Sequence, residues 1–246
     1  MGTVVSFDVR DADLDAAEVG AALEGAIAWL HEVDERFSTY LPDSEVSRLA
    51  DGRLAEADAH PDVRAVLAMC DDLRVDSKGA FDARAWSPDR RLDPSGFVKG
   101  WSVQLAADHL VSTGLQSFAI NAGGDIVTHG RPAAQEAWRV GIRHPDQADR
   151  VAAVLSVTDR AVATSGAYER SDHIVDPRSG HAPKGLRSVT IVGPSLAWAD
   201  AYATAVFVMD LDGLGWVTDH EGYDAYAITP DDSVVWTAGI DRYIRS

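Results

Sequence analysis

An aspartate and a threonine four residues apart, Asp200 and Thr204, stand in the run Asp-Ala-Tyr-Ala-Thr. In a helix, positions i and i+4 share one face, so this pair would present two hard oxygens in one direction. Such donors suit Mg²⁺, which takes oxygen ligands and keeps part of its shell for water or phosphate. The neighbours Leu196, Trp198, Ala201, Ala203, Ala205, Val206 and Phe207 are small or apolar, and a carboxylate buried among them needs a partner. From spacing alone the simpler reading is an Asp that caps or flanks a helix and a Thr that bonds back to a carbonyl.

Three further stretches bear chemistry. In Leu92–Gly100 (LDPSGFVKG) a turn at Asp93-Pro94-Ser95-Gly96 leads to a helix expected from Gly100 to Leu110. The start of a helix exposes backbone N–H groups and the positive end of the dipole, which attract phosphate, and Lys99 adds a charge there. The spacing is not that of a Walker loop, and a plain strand–turn–helix connection explains it as well. Asn121–Asp125 (NAGGD) lies between two strand-like runs. Its glycines permit positive φ or the close approach of a ligand; a tight hairpin, with Asp125 as its turn carboxylate, is the simpler reading. His173 precedes the rigid turn Asp176-Pro177-Arg178-Ser179-Gly180, and a histidine at a strand end is suited to acid–base work. Arg178 suits a phosphate or a carboxylate. Ala163-Thr164-Ser165-Gly166 supplies two hydroxyls in one loop. Tyr40 and Phe81, each at a helix exit, offer flat faces for stacking or ordinary packing.

These residues need a scaffold. Thr3–Val9 alternates like a strand, and Asp15–Phe37 carries apolar residues at helical steps (Val19, Leu23, Ile27, Leu30, Val33, Phe37). Ser44–Ala50 reads as a short helix, and Pro61 opens another that stops near Lys78-Gly79. Short strands are expected at 117–120, 126–129, 138–142, 151–158, 161–163, 173–175 and 188–192. A helix follows at 196–209, then a hairpin from 225–229 to 234–237. Strands cluster instead of alternating with helices, so the expected class is α+β: a mixed, mainly antiparallel sheet core flanked by helices. The absence of a repeat or linker-like segment predicts one domain over 1–246.

A net charge of −17 argues against nonspecific nucleic-acid binding and against adsorption to anionic membranes. No run is long and apolar enough to predict membrane insertion. Cys70 is the sole cysteine, so no internal disulfide can form. The first residues lack a basic and an apolar region of a signal peptide; as written the chain reads as cytoplasmic, unless an export signal has been trimmed from it.

Taken in order, the stretches MGT, FSTYLPDSEVSRL, GAFD, LDPSGFVKG, INAGGDIVTHG, ATSGAYER, HIVDPRSG and ADAYATAVFV resemble the ApbE family of FAD:protein FMN transferases. The resemblance runs from Met1 to about Met209. It implies an ApbE-like fold and a Mg²⁺-dependent reaction in which FMN passes from FAD to a Thr or Ser hydroxyl of an acceptor protein, with release of AMP. It implies Asp200 and Thr204 as side-chain metal ligands and Gly96 as a carbonyl ligand. Contacts to FAD would come from Met1, Tyr40, Ala80, Phe81, Asp82, Asp93, Lys99, Val175 and Ala203, and His173 would be the base. The chain departs from the family in a short link between Asp82 and Leu92, in Ser95 and Val98 where Gly and Ala are common, and in lacking the usual export or lipoprotein signal. Two rival expectations keep the pocket: an FAD pyrophosphatase that yields FMN and AMP, and a non-catalytic flavin-binding protein.

Overall fold

The computed structural model describes residues 3–11, 14–84, 92–147, 149–166 and 174–244. Seven strands form one sheet: β1 (Val5–Val9), β2 (Phe118–Ala122), β3 (Asp125–His129), β6 (Ala161–Gly166), β7 (Ser188–Gly193), β8 (Asp224–Ile228) and β9 (Val234–Trp236), in that spatial order with every neighbour antiparallel. β4 (Trp138–Arg143) and β5 (Val151–Val157) make a separate ribbon. Strand alternation assigns the two faces. Val189 and Ile191 of β7 enter the core shared with the helices, whereas Val192 joins Trp138, Val140 and Leu155 of the ribbon. The sheet is therefore covered on both sides, by helices and by the ribbon. This is the expected α+β class.

The helices are α1 (Ala16–Phe37), α2 (Glu45–Ala50), α3 (Pro61–Asp76), α4 (Ser95–Ser112), α5 (Leu196–Met209) and α6 (Asp212–Thr218). Asp15 caps α1 by accepting from the N–H groups of Ala17 and Glu18, and Glu18 returns a bond to the Asp15 N–H. α5 is buried along most of its length, as expected of a helix that is apolar all round. Its alanines let α4 come close. Gly100 is the contact point, since a β-carbon there would lie 2.7 Å from Asp200 Cβ and strike the Leu196 carbonyl. Gln104 of α4 also accepts the Leu196 N–H at 2.8 Å and so caps α5 from outside. Trp29 of α1 donates to the Ser102 carbonyl at 3.0 Å and packs edge-on against Trp101. α4 is thus clamped between α1 and α5.

Several expectations change in detail. α4 begins at Ser95, five residues before the expected start, because the Pro94 carbonyl accepts from Phe97 and Val98 and closes a helical turn. Gly96 and Lys99 consequently lie on the helix. β6 extends through Gly166, drawn out by pairing with β7 along its whole length. Ile174 and Val175 have no regular structure, contrary to the strand expected over 173–175. Cys70 is buried in the helical core, and burial pushes its thiol up to about 12. Among the described residues no helix is long and apolar enough to cross a membrane.

Candidate functional site

A cleft of about 610 Å³ opens where α1, α4, α5 and the sheet meet, a size usual for ligand clefts. One wall is aromatic. Ser44 Oγ donates to the Ser38 carbonyl at 2.6 Å and fixes the chain leaving α1, while Tyr40 stands 85% exposed at the rim. Lys78 and Gly79 both adopt positive φ, +52° and +80°, and turn the chain back after α3. Ser77 Oγ then accepts the Phe81 N–H at 3.0 Å, and the Phe81 ring sits beneath Gly96, where a β-carbon would lie 3.3 Å from it. Asp93 Oδ1 accepts the Ser95 N–H at 3.0 Å and organises the first turn of α4.

The floor is ionic. Asp200 is 3% exposed and Asp125 is 2% exposed. Lys99 reaches both: its Nζ pairs with Asp125 Oδ2 and lies 3.3 Å from Asp200 Oδ1. With both carboxyl groups ionised, the two carboxylates and one ammonium leave one unit of negative charge in this cluster. Asp200 Oδ2 accepts the Gly100 N–H at 2.9 Å. In an α-helix that N–H belongs to the carbonyl four residues back, so the Gly96 oxygen shares or loses its donor. Thr204 Oγ1, one turn on from Asp200, is 3.5 Å from Ser165 Oγ, which is too long for a good hydroxyl–hydroxyl bond. Burial pushes the Asp200 carboxyl up to about 7; the nearby Asp125 charge also raises it, while Lys99 and the Gly100 N–H act the other way.

That shift makes a prediction. The folded pKa of Asp200 exceeds the ordinary aspartate value of about 4, so folding favours the protonated form. In protein held in EDTA, the Asp200 contribution to stability is full below pH about 4 and is lost as pH rises to about 7. Thermal melts across this range should show the decline for the parent chain and a flatter profile for Asp200→Asn. Identical profiles would show that Asp200 does not titrate there.

The cleft brings together most of the residues expected from sequence. Tyr40, Ala80, Phe81, Asp82, Asp93, Gly96, Lys99, Val175, Asp200 and Thr204 all line it. Ala203 does not; it is fully buried and packs in the core beside the pair that flanks it. Met1 and His173 lie outside the described residues, while Ile174 and Val175, which follow His173, line the cleft. Asp125 is not merely a turn carboxylate. The β2–β3 turn is the expected Gly123-Gly124 pair at φ +64° and +104°, with Asn121 Oδ1 accepting the Gly124 N–H, but the Asp125 side chain turns inward to Lys99 and to the Thr164 N–H. Two charged lining residues escaped the sequence reading. Asp34 is an acid on the inner face of α1 beside Val33 and Phe37, and that misplaced charge was a usable signal. Arg143 closes β4 and enters from the ribbon, which no local pattern foretells.

A carboxylate and a hydroxyl one helical turn apart thus sit with an ammonium in a cleft that Gly96 and Tyr40 also line. Among the described residues no three His, Cys, Asp or Glu side chains gather as a metal cluster. A cation here would rest on one carboxylate and complete its shell with neutral and ligand oxygens, as Mg²⁺ does in phosphate chemistry.

The profile of the ApbE family matches residues 1–87 and 84–227. The chain is 36% identical over 174 residues to the FAD:protein FMN transferase of Treponema pallidum (strain Nichols), covering 63% of this chain and 48% of that protein. It is 34% identical over 132 residues to the FAD:protein FMN transferase of Vibrio cholerae serotype O1, covering 50% and 40%. The matched stretch therefore spans about half the length of these relatives. In three dimensions the chain superposes on the flavin transferase ApbE from Vibrio cholerae with a TM-score of 0.84 at 23% identity, over 99% of this chain and 96% of that one. The ApbE protein of Thermotoga maritima gives 0.83 at 20% identity, over 99% and 95%. With the profile running through both the aromatic wall and the ionic floor, and the same fold beneath them, the chain belongs to the ApbE family.

Proposed function

We propose that this protein transfers FMN from FAD to a Thr or Ser hydroxyl of an acceptor protein, with Mg²⁺ bound and AMP released. The observation that carries this reading is the meeting of Lys99, Asp200 and Thr204 at the floor of a cleft whose wall bears Tyr40 and Phe81. A dinucleotide needs both features: flat surfaces for its rings and compensation for its diphosphate. The relatives named above as FAD:protein FMN transferases support the same substrate and product.

In this reading Asp200 Oδ1, Thr204 Oγ1 and the Gly96 carbonyl would hold the cation. The residual negative charge and the weakly engaged Thr204 hydroxyl fit it. When bound, Mg²⁺ supplies neutralisation of the diphosphate charge. Lys99 directs its ammonium toward the same phosphates, where it would offset charge that builds as the bridging bond breaks. Tyr40, exposed at the rim, stacks on a ring and orients the substrate, while the buried Phe81 shapes the wall by packing. The acceptor oxygen bonds to the phosphorus on the flavin side, the bridging P–O bond breaks, and AMP leaves. His173 takes the hydroxyl proton.

The test is covalent labelling. Protein, FAD, Mg²⁺ and a Thr- or Ser-bearing acceptor are incubated and run on a denaturing gel, with AMP measured in parallel. A fluorescent acceptor band that EDTA abolishes is the expected result. AMP without label, in the presence or absence of acceptor, would reassign the chain as an FAD pyrophosphatase. Bound FAD with neither product would leave a flavin-binding protein.

A further inference from the structure

Lysine is a flexible point charge, and its usefulness in a site depends on what holds its end. Lys99 emerges from the second turn of α4 and is met by a carboxylate from a different layer of the fold. Asp125 opens β3 directly after the two-glycine turn. One of its oxygens is tied to the scaffold, because Oδ1 accepts the Thr164 N–H of β6 at 3.0 Å. The other, Oδ2, is buried against the Lys99 ammonium. The hairpin that carries Asp125 is pinned in turn by Asn121, whose side chain accepts the Gly124 N–H at 2.9 Å.

We infer that Asp125 is a positioning residue that holds the Lys99 ammonium at the floor of the cleft and keeps it from settling wholly on Asp200. The inference rests on the proposed function in one respect, that Lys99 acts on the diphosphate of FAD. The geometry supplies the rest. Lys99 Nζ is 3.3 Å from Asp200 Oδ1 and closer still to Asp125. Two anions compete for one cation, and each carboxylate therefore receives only part of its charge. If Asp125 were neutral, the ammonium would have Asp200 as its anion in this cluster and would move onto it. Asp200 would then be compensated by lysine and less available to a divalent cation, and Lys99 would be drawn from the position in which it faces phosphate. Asp125 touches neither substrate nor cation in this account; it acts through Lys99.

Asp125→Asn separates this role from a structural one. An asparagine keeps the size and an acceptor oxygen for the Thr164 N–H, and loses both the charge and the second acceptor oxygen that meets Lys99. Turnover of FAD should fall on the order of 10²-fold, the scale expected when a catalytic group is displaced by about an ångström. KM for FAD should change little, the Mg²⁺ concentration needed for half-maximal rate should rise, and Asp125→Glu should restore part of the rate. In the Lys99→Gln background, Asp125→Asn should bring no further loss. Full additivity of the two changes would overturn the inference, since residues acting through one another are non-additive.

A readout free of catalysis decides the placement. The chain has three lysines, Lys78, Lys99 and Lys184, so ¹⁵N-lysine NMR gives few ammonium signals, and Lys99→Gln identifies the one of interest. A held, hydrogen-bonded ammonium exchanges slowly with water and is visible. Asp125→Asn should broaden or shift that signal and leave those of Lys78 and Lys184 unchanged. An unaltered Lys99 signal would refute the positioning role whatever the activity. Absence of FAD turnover in the parent chain would instead count against the proposed function, and the NMR result would still stand on its own.

Discussion

Replacing Asp200 with alanine is expected to lower turnover on the order of 10³-fold or more. Asp200 offers the one buried carboxylate that shares a helix face with Thr204, and it also holds the Gly100 N–H. Without it a cation over the diphosphate would lose its anionic ligand, and Lys99 would keep Asp125 as an ion-pair partner. The fold should survive, because the Gly100 N–H keeps the helical carbonyl four residues back as an acceptor and Lys99 keeps Asp125. The measurement is AMP release at saturating FAD, accompanied by a thermal melt in EDTA. Near-parental turnover at ordinary Mg²⁺ would strike Asp200 from the ligand set. A collapsed melt would show that its role is structural.

The second large effect should come from one methyl group. Gly100→Ala places a β-carbon against the Leu196 carbonyl and 2.7 Å from Asp200 Cβ. These are backbone and stem atoms of a buried helix, so no flexible side chain can yield. Overpacking of this kind costs about 1–3 kcal/mol, and the gain in helix propensity offsets about 1 kcal/mol of it. With backbone as the obstacle, the cost belongs near the top of that range. The net is a loss of several degrees in Tm at about 2–4 °C per kcal/mol for a chain of this size. Turnover should fall further than stability implies, on the order of 10²-fold, because parting α4 from α5 moves Lys99 away from Asp200. Gly20→Ala in α1 is the internal control: nothing lies within 4 Å of a β-carbon there, so the same change should stabilise. If both variants melt alike, the close helix approach is not what Gly100 provides.

How much of this was legible beforehand follows from the range of each interaction. α1, α3 and α5 carry their own signals in apolar steps, an Asp cap and a Pro at N1, and these are local. The Asp200–Thr204 face was legible because a helix fixes i and i+4 together. Asp125 was read as a turn carboxylate since its partners, Lys99 and the Thr164 N–H, are distant in sequence and appear only once β3, β6 and α4 are assembled. α6 went unread because Gly213 and Gly215 weaken its propensity, and packing on α5 and β8 supplies what local preference lacks. The start of α4 was misjudged because Asp93-Pro94-Ser95-Gly96 is good turn chemistry as well as a good helix entry. That β4 and β5 leave the main sheet was illegible for a similar reason: strand pattern shows which face is buried, not which neighbour is chosen.

Among the described residues β1 pairs with β2, joining Val5 to Ala122, and Thr3 rests against the Gly123 turn at the mouth of the cleft. A chain emerging from the ribosome must therefore carry β1 unmated until β2, more than a hundred residues further on, has been made. The pocket itself waits longer still, until Thr204 has been synthesised. Contacts of such long range slow folding, and a bare apolar strand is a template for aggregation in the interval. Nascent forms of this protein should lean on chaperones, and the cleft can take a ligand only after translation has passed α5.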